Sequence, residues 1–166
     1  DGRVLKEKPY LGEMLKMAGF RNPRIAWDWK YNQVEEIKKQ IDILVVGGYG
    51  SMDIYIFMLY NWNISFEEME RKRIKCWEWR VQIADCRYRP LDQTFDDYIP
   101  WKKYQTTGDY YIHTDAGWTD ALVKQFRKNV RRQNICVRHR FPFYSNILEK
   151  KRIGKKLMRK VKLLAT

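Results

Sequence analysis

Three short apolar runs alternate with segments of helical periodicity along the first half of the chain. The runs at 24–29, 54–60 and 81–86 are rich in β-branched and aromatic residues, and 54–60 (IYIFMLY) is continuously apolar. A continuous apolar run of this length is typical of a parallel strand that is covered on both faces. We therefore predict three parallel β-strands at these positions.

The segments that separate the apolar runs have the periodicity of helices. They predict a helix at 3–18 with a break near Pro9, a helix at 33–46, and a helix that begins at Ser65. Ser65 precedes Glu68 by three positions, which is the spacing of a capping box. The glycines at 47–50 follow a helix and precede a strand, so they predict a helix end and a tight turn rather than a phosphate loop. The alternation predicts an α/β fold with outer helices.

The pattern changes after the third strand. Residues 87–118 lack sustained periodicity but are rich in aromatic side chains, which predicts an ordered loop over the open end of the sheet. Thr119 or Asp120 is expected to cap a helix that runs to about Asn134, followed by an extended segment at 135–144. A last helix is expected to begin at Ser145. We accordingly divide the chain into a body, residues 1–144, and a basic amphipathic helical tail, residues 145–166.

Positive charge is concentrated at the end of the chain. The net charge is +13, and residues 121–166 hold 15 of the 33 lysines and arginines with one acid, Glu149. Uncompensated charge of this kind suits RNA or DNA, although an acidic protein or an anionic membrane surface would use the same charge. The residues expected to contact nucleic acid are Arg127, Lys128, Arg131, Arg132, Lys151, Lys155, Lys156 and Arg159.

Cysteine usage and hydropathy favour a cytoplasmic location. Cys76, Cys86 and Cys136 are too scattered for a disulfide scaffold and form no Cys-x-x-Cys pair, so no metal site is predicted in this chain. No apolar run approaches the length of a membrane span, and no signal peptide opens the sequence. The chain begins at Asp1 without a Met, which we interpret as a cut fragment, a half-domain or a processed product.

Six segments occur along the chain in this order: RIAWDW, IFMLYNW, VQIADCRYRPLDQTF, DYYIH, GWTD and FRKNVRRQNICVRH. Through these segments, roughly residues 1–144 resemble the carboxyl-terminal half of a radical S-adenosylmethionine (radical SAM) enzyme domain. The resemblance implies a partial (β/α) barrel fragment with about three parallel strands and outer helices, to which the pattern of residues 145–166 adds a basic helical C-terminal extension. S-adenosylmethionine and a [4Fe–4S] cluster are implied for a complete parent protein. Neither is expected for this chain alone, because it lacks the Cys-x₃-Cys-x₂-Cys loop that holds the cluster.

The cofactor site of the family is assigned to residues of this sequence by strand order alone. The resemblance implies that Asp28 meets the ribose hydroxyls, since one carboxylate accepts from both, and that Tyr60, Asn61 and Asp85 flank the adenine. We expect Asp28, Asn61 and Asp85 to share one concave mouth beneath the 87–118 loop. An alternative stays open for Asp28, which also suits the cap of the following helix.

Beyond the third strand, Arg87 and Arg89 are expected to face a carboxylate or phosphate of a substrate. The alternative for Arg87 is an internal ion pair with Asp85. His113 and His139 have no evident ligand partners in the sequence, so each is interpreted as structural.

Two functions from different classes follow from these observations. The first is a fragment or half-domain of a radical SAM-like enzyme, which contributes the cofactor and substrate side of the barrel and is not catalytically competent alone. Its partner would be a missing N-terminal half, in the same or a separate chain. The second is a non-enzymatic nucleic-acid-binding or assembly subunit that acts through its basic C-terminal region.

Overall fold

The computed structural model describes residues 2–141, so the predictions for residues 145–166 lie outside the described part of the chain. The helices are α1 (Gly2–Glu7), α2 (Leu11–Met17), α3 (Val34–Val46), α4 (Phe66–Glu78) and α5 (Asp120–Arg138). The strands are β1 (Arg24–Ala26), β2 (Tyr55–Tyr60) and β3 (Gln82–Arg87). Short 3₁₀ turns lie at 31–33, 51–53 and 114–116. Within the described residues, no helix is long and apolar enough to cross a membrane.

The three strands form one open parallel sheet in the order β1-β2-β3. Ile25 aligns with Ile56, and Ile56 aligns with Ile83. The predicted parallel pairing and the α/β class are therefore confirmed. β1 is shorter than the predicted 24–29, because the chain turns away after Trp27 donates its backbone N–H to Phe57 O at 2.8 Å.

Burial alternates strictly along β2. Ile56, Met58 and Tyr60 are at most 2% exposed, whereas Tyr55, Phe57 and Leu59 are half-buried. Crossovers between neighbouring parallel strands are right-handed in almost all proteins, and two of them in sequence place α3 and α4 on the same side of the sheet. Phe126 of α5 packs on Tyr60, whose side chain lies on the buried face. The prediction that this strand is covered on both faces is wrong for the described residues, since only one face is fully buried.

Local signals located most helix ends. Ser65 Oγ accepts from Glu68 N at 3.3 Å, and Thr119 Oγ1 accepts from Leu122 N at 3.3 Å, as the capping patterns predicted. The predicted break near Pro9 separates α1 from α2. The predicted extended segment is wrong at 135–138, which continue α5, because Cys136 and Val137 extend the buried face of that helix.

The two edges of the sheet differ. At the outer edge of β3, the side chain of Asn134 on α5 pairs with both backbone groups of Ile83. Its Oδ1 accepts from Ile83 N at 2.9 Å, and its Nδ2 donates to Ile83 O at 2.7 Å. At the outer edge of β1, the described residues provide no further strand, and Arg24 and Ala26 are exposed. Within residues 2–141, the outer edge of β1 is thus unpaired, whereas Asn134 occupies the outward backbone groups of Ile83 on β3.

Candidate ligand site at the carboxyl ends of the strands

A buried lysine organises the end of β1. Lys72 of α4 is 0% exposed, and its Nζ donates to the backbone carbonyls of Trp27 and Trp29, at 2.6 Å each. Desolvation lowers the pKa of Lys72 to about 8, although the nearby carboxylates of Asp28 and Glu68 act to raise it. Because Lys72 takes these two carbonyls, it fixes the backbone on both sides of Asp28.

Asp28 is the predicted site residue with the clearest capacity to accept a hydrogen bond. Burial raises the pKa of its carboxyl, while the Lys72 charge and a hydrogen bond from the Leu59 backbone lower it. Its Oδ1 is buried and has no hydrogen-bond partner within residues 2–141. The alternative role as a helix cap is not observed, since the turn at 31–33 begins after Lys30 without a side-chain cap.

Asn61 directly follows β2. It is a buried residue that hydrogen-bonds to other segments of the chain, not an exposed ligand-binding residue. It is 0% exposed and has a backbone φ of +58°, which is unusual for a residue other than glycine. Its Nδ2 donates to Tyr88 O at 3.1 Å and Tyr111 O at 2.9 Å, and its Oδ1 accepts from His113 N at 3.0 Å. The prediction that Asn61 opens onto a mouth is therefore wrong, because its amide is fully engaged within the chain.

Tyr60 is likewise unsuited to direct contact with a cofactor. Its side chain is 2% exposed, and its ring centre lies 5.1 Å from that of Phe126 and 6.1 Å from that of Trp118. Desolvation raises the pKa of the phenol, and the charge of Asp85 adds to this rise. The expected adenine contact of Tyr60 is corrected to a packing role, since the chain itself covers the ring.

Asp85 faces the helices. In the register of the sheet it aligns with Met58, which is fully buried on the helix-covered face. Burial raises the pKa of Asp85, and the positive charge of Arg127 on α5 lowers it. Asp28, Asn61 and Asp85 thus have different partners, and the expected common mouth is wrong because Asn61 is buried and Asp85 is directed to the helices.

Arg87 is engaged by the loop that follows it. Its Nη2 donates to both carboxylate oxygens of Asp96, at 2.5 and 2.6 Å. Its guanidinium lies over the rings of Tyr98 and Tyr110, at 4.8 and 5.0 Å from their centres. Arg87 thus forms an internal ion pair, with Asp96 rather than with Asp85. Its Nη1 is buried and has no hydrogen-bond partner among residues 2–141, so the substrate contact stays a prediction. The side chain of Arg89 is 54% exposed and lies 3.6 Å from Asp96, so it stays accessible.

A half-buried aromatic group lies above Asn61. The ring centres of Trp62 and Tyr88 are 3.9 Å apart, and those of Trp62 and His113 are 5.6 Å apart in a stacked arrangement. The hydroxyl of Tyr111 lies 2.6 Å from His113 Nδ1. The sequence did not predict that Trp62, Tyr88 and His113 meet, because His113 has no evident partner in the sequence. The aromatic density of residues 87–118 was the available signal.

The cysteines do not suit an iron–sulfur cluster. Cys76 and Cys136 are buried in α4 and α5, and Cys86 is half-buried in β3. Burial raises the pKa of the Cys76 thiol, which opposes the thiolate form that a cluster needs. Among the described residues, no group of three or more His, Cys, Asp or Glu side chains could hold a metal ion.

The predicted nucleic-acid contacts fall into two sets. Arg127, Lys128 and Arg131 are exposed on α5, and Arg132 beside them is half-buried. Lys151, Lys155, Lys156 and Arg159 lie outside the described residues. No protein-family model, curated protein or solved structure matches the chain. The fold and its candidate site therefore stand on their own geometry: a parallel three-stranded α/β sheet with polar and aromatic residues at its carboxyl ends.

Proposed function

We propose that this chain forms the carboxyl-terminal part of a partial (β/α) barrel of the radical SAM type. Polypeptide outside these 166 residues supplies the remaining strands and the cluster-binding loop. The observation that carries the proposal is the sheet itself, which has helices packed on one face and an apolar, half-exposed opposite face.

The open face has the composition of the inner wall of a barrel. The register of the sheet brings Phe57 level with Ala26 and Ala84, and brings Leu59 level with Cys86. In a barrel, these inward-facing side chains pack against the strands of the opposite wall. Such packing would bury apolar groups that the isolated chain leaves partly in water.

The free edge of β1 supports the same arrangement. Strand order follows chain order from β1 to β3, so additional strands of a sequential barrel would lie beside β1. That edge has no neighbour among the described residues, whereas Asn134 closes the edge of β3. The asymmetry is the one that a carboxyl-terminal half-barrel needs.

Asp28 is the residue of this chain that fits the implied nucleoside best. Its buried Oδ1 has no donor within the described part of the chain, and a ribose diol would provide one. When bound in a complete protein, S-adenosylmethionine and the reduced cluster would supply radical chemistry. The residues of this chain would contribute only binding. Asp28 would accept from hydroxyl groups, and the exposed Arg89 would pair with an anionic group of a substrate. The aromatic group around Trp62 would stack on a planar part of a ligand.

The experiment starts from the protein purified from its native source. Intact-mass and iron analysis should show either a longer polypeptide or a complex of two chains that contains iron. The substitution F57E on the open face should prevent assembly with the other half. In the isolated 166-residue chain it should be tolerated, because Phe57 is only half-buried there. V46E is the matched control, since Val46 is 89% exposed at the end of α3. A native protein that consists of these residues alone, monomeric and iron-free, would refute the proposal.

A further inference from the structure

Two aromatic side chains of the 87–118 loop lie almost entirely in solvent. Trp101 is 85% exposed and Tyr104 is 86% exposed, and the two residues between them, Lys102 and Lys103, are also exposed. Aromatic side chains normally bury most of their area. Two exposed rings separated by two lysines therefore form a distinctive surface, which is independent of the site at the strand ends.

This segment lies against the first half of α5. Lys124 Nζ donates to the backbone carbonyl of Lys103 at 3.4 Å. The guanidinium of Arg127 lies 5.6 Å from the ring centre of Tyr98, just before the exposed segment. The exposed rings and the basic residues of α5 consequently belong to one surface. We call residues 101–104 together with Lys124, Arg127 and Lys128 of α5 the aromatic-basic surface.

The aromatic-basic surface carries an excess of positive charge. Its basic residues are Lys102, Lys103, Lys124, Arg127 and Lys128. Lys102 pairs with Asp109 at 2.9 Å, Lys124 pairs with Asp120 at 3.3 Å, and the charge of Arg127 acts on Asp85. The surface thus holds five basic side chains against these three carboxylates, so its formal charge is positive and an anionic partner is favoured.

We propose that the aromatic-basic surface binds single-stranded nucleic acid. Trp101 and Tyr104 would stack on unpaired bases, and the neighbouring lysines and Arg127 would contact the phosphates. Every base has a π-face, so binding of this kind is tolerant of sequence. A duplex has its bases already stacked on each other and would use only the phosphate contacts. The proposal does not depend on the half-barrel, since it uses a different part of the protein.

An anionic membrane is the main competing partner. Membrane-bound segments present a broad, continuous apolar face to the acyl chains. Here the two rings are separated by Lys102 and Lys103, and Pro100 and Gln105 flank them. This arrangement suits bases alternating with phosphates better than it suits a lipid surface.

The test uses the full 166-residue chain, so that residues beyond 141 contribute equally to every variant. Fluorescence anisotropy would measure binding to a labelled oligothymidylate of about 15 nucleotides, long enough for one binding surface. A duplex of the same length would be measured in parallel, from about 50 to about 200 mM salt. The substitutions W101A and Y104A leave the fold intact because both rings are exposed, which circular dichroism would verify.

Stacking of one base on an aromatic ring is worth roughly 1 to 3 kcal/mol, so each substitution should weaken single-strand binding at least about fivefold. Duplex binding should stay unchanged. The control W29A removes a Trp that is 68% exposed at the end of β1, and it should change neither affinity. K103Q should reduce the slope of log affinity against log salt by about 0.7 for the single strand.

Three results would overturn the proposal. The first is an unchanged single-strand affinity when W101A and Y104A are combined. The second is an equal loss for single strand and duplex, which would assign the rings a structural role. The third is a loss of binding to phosphatidylserine vesicles without any loss for the oligonucleotide, which would assign the surface to a membrane.

Discussion

Lys72 predicts that the protein becomes more stable as the pH rises above neutrality. Its ammonium group is fully buried, and desolvation lowers its pKa from 10.5 to about 8. Between these two values the unfolded chain retains a proton that the folded protein has released, so the free energy of unfolding increases with pH. Integrating this difference gives a gain of about 1.3 kcal/mol between about pH 7 and about pH 9.

The assay is urea unfolding at several pH values under reducing conditions, followed by tryptophan fluorescence. The difference in unfolding free energy between the wild type and K72M should grow by about 1.3 kcal/mol over that range. K75M is a matched control, because Lys75 lies on the same helix, pairs with Glu78 at 2.6 Å and has its pKa raised by that contact. The raised pKa values of Cys76 and several tyrosines act in the opposite direction, but they are present in all three proteins.

A flat or falling difference between wild type and K72M would refute this reasoning. It would mean that Asp28 and the carbonyls of Trp27 and Trp29 hold the Lys72 proton in the folded state. K75M should parallel the wild type throughout, because Lys75 stays charged over the whole range in the wild type and K75M retains Lys72. If K75M lost the same increase of unfolding free energy with pH as K72M, the increase would be a general effect of charge on α4.

Substitutions of Asn61, Arg87 and Asn134 test the contacts at the strand ends and edges. N61A should lower the unfolding free energy by roughly 2–4 kcal/mol, because three backbone groups lose their partner, and should speed proteolysis within 87–118. N61G should lose less, since glycine accepts the positive φ, and an equal loss would contradict the assigned strain. R87M should cost roughly 2–3 kcal/mol in urea unfolding, against under about 0.5 kcal/mol for the exposed R89M; similar losses would show that Arg87 does not hold the loop. N134L should cost about 1–2 kcal/mol and cause association through the freed edge, which sedimentation would detect; a monomer of unchanged stability would argue against edge closure.

The sequence predicted the elements of this fold better than the roles of its polar residues. The apolar runs located all three strands, and the order of elements predicted a parallel sheet. The apolar run at 54–60 nevertheless gave a wrong prediction that both faces of β2 are covered. Tyr55, Phe57 and Leu59 are apolar like their neighbours but lie on the open face. Hydrophobicity alone does not distinguish a face that the chain buries from a face that it leaves for a partner.

Two of the predicted site residues are engaged within the chain for a related reason. Asn61 and Arg87 stand where ligand-binding residues of parallel sheets are expected, and both are polar. In the folded chain, Asn61 is engaged by backbone groups up to 52 positions away, and Arg87 is engaged by Asp96 and two tyrosine rings. Within residues 2–141, Asp28 Oδ1 and Arg87 Nη1 are nevertheless buried without a hydrogen-bond partner, which the sequence context of these two residues did not indicate.

By itself, the sequence determined the features that depend on near neighbours. Ser65 and Thr119 cap helices because their hydroxyls reach an N–H three residues away, and the apolar periodicities select helix or strand within a few turns. Only the tertiary structure decided that Lys72 is buried, since its Nζ donates to two carbonyls that are 45 and 43 positions distant in the sequence. A buried charge, a closed edge and an open face are set by which distant segments pack together, and packing of that kind leaves no periodic trace in the sequence.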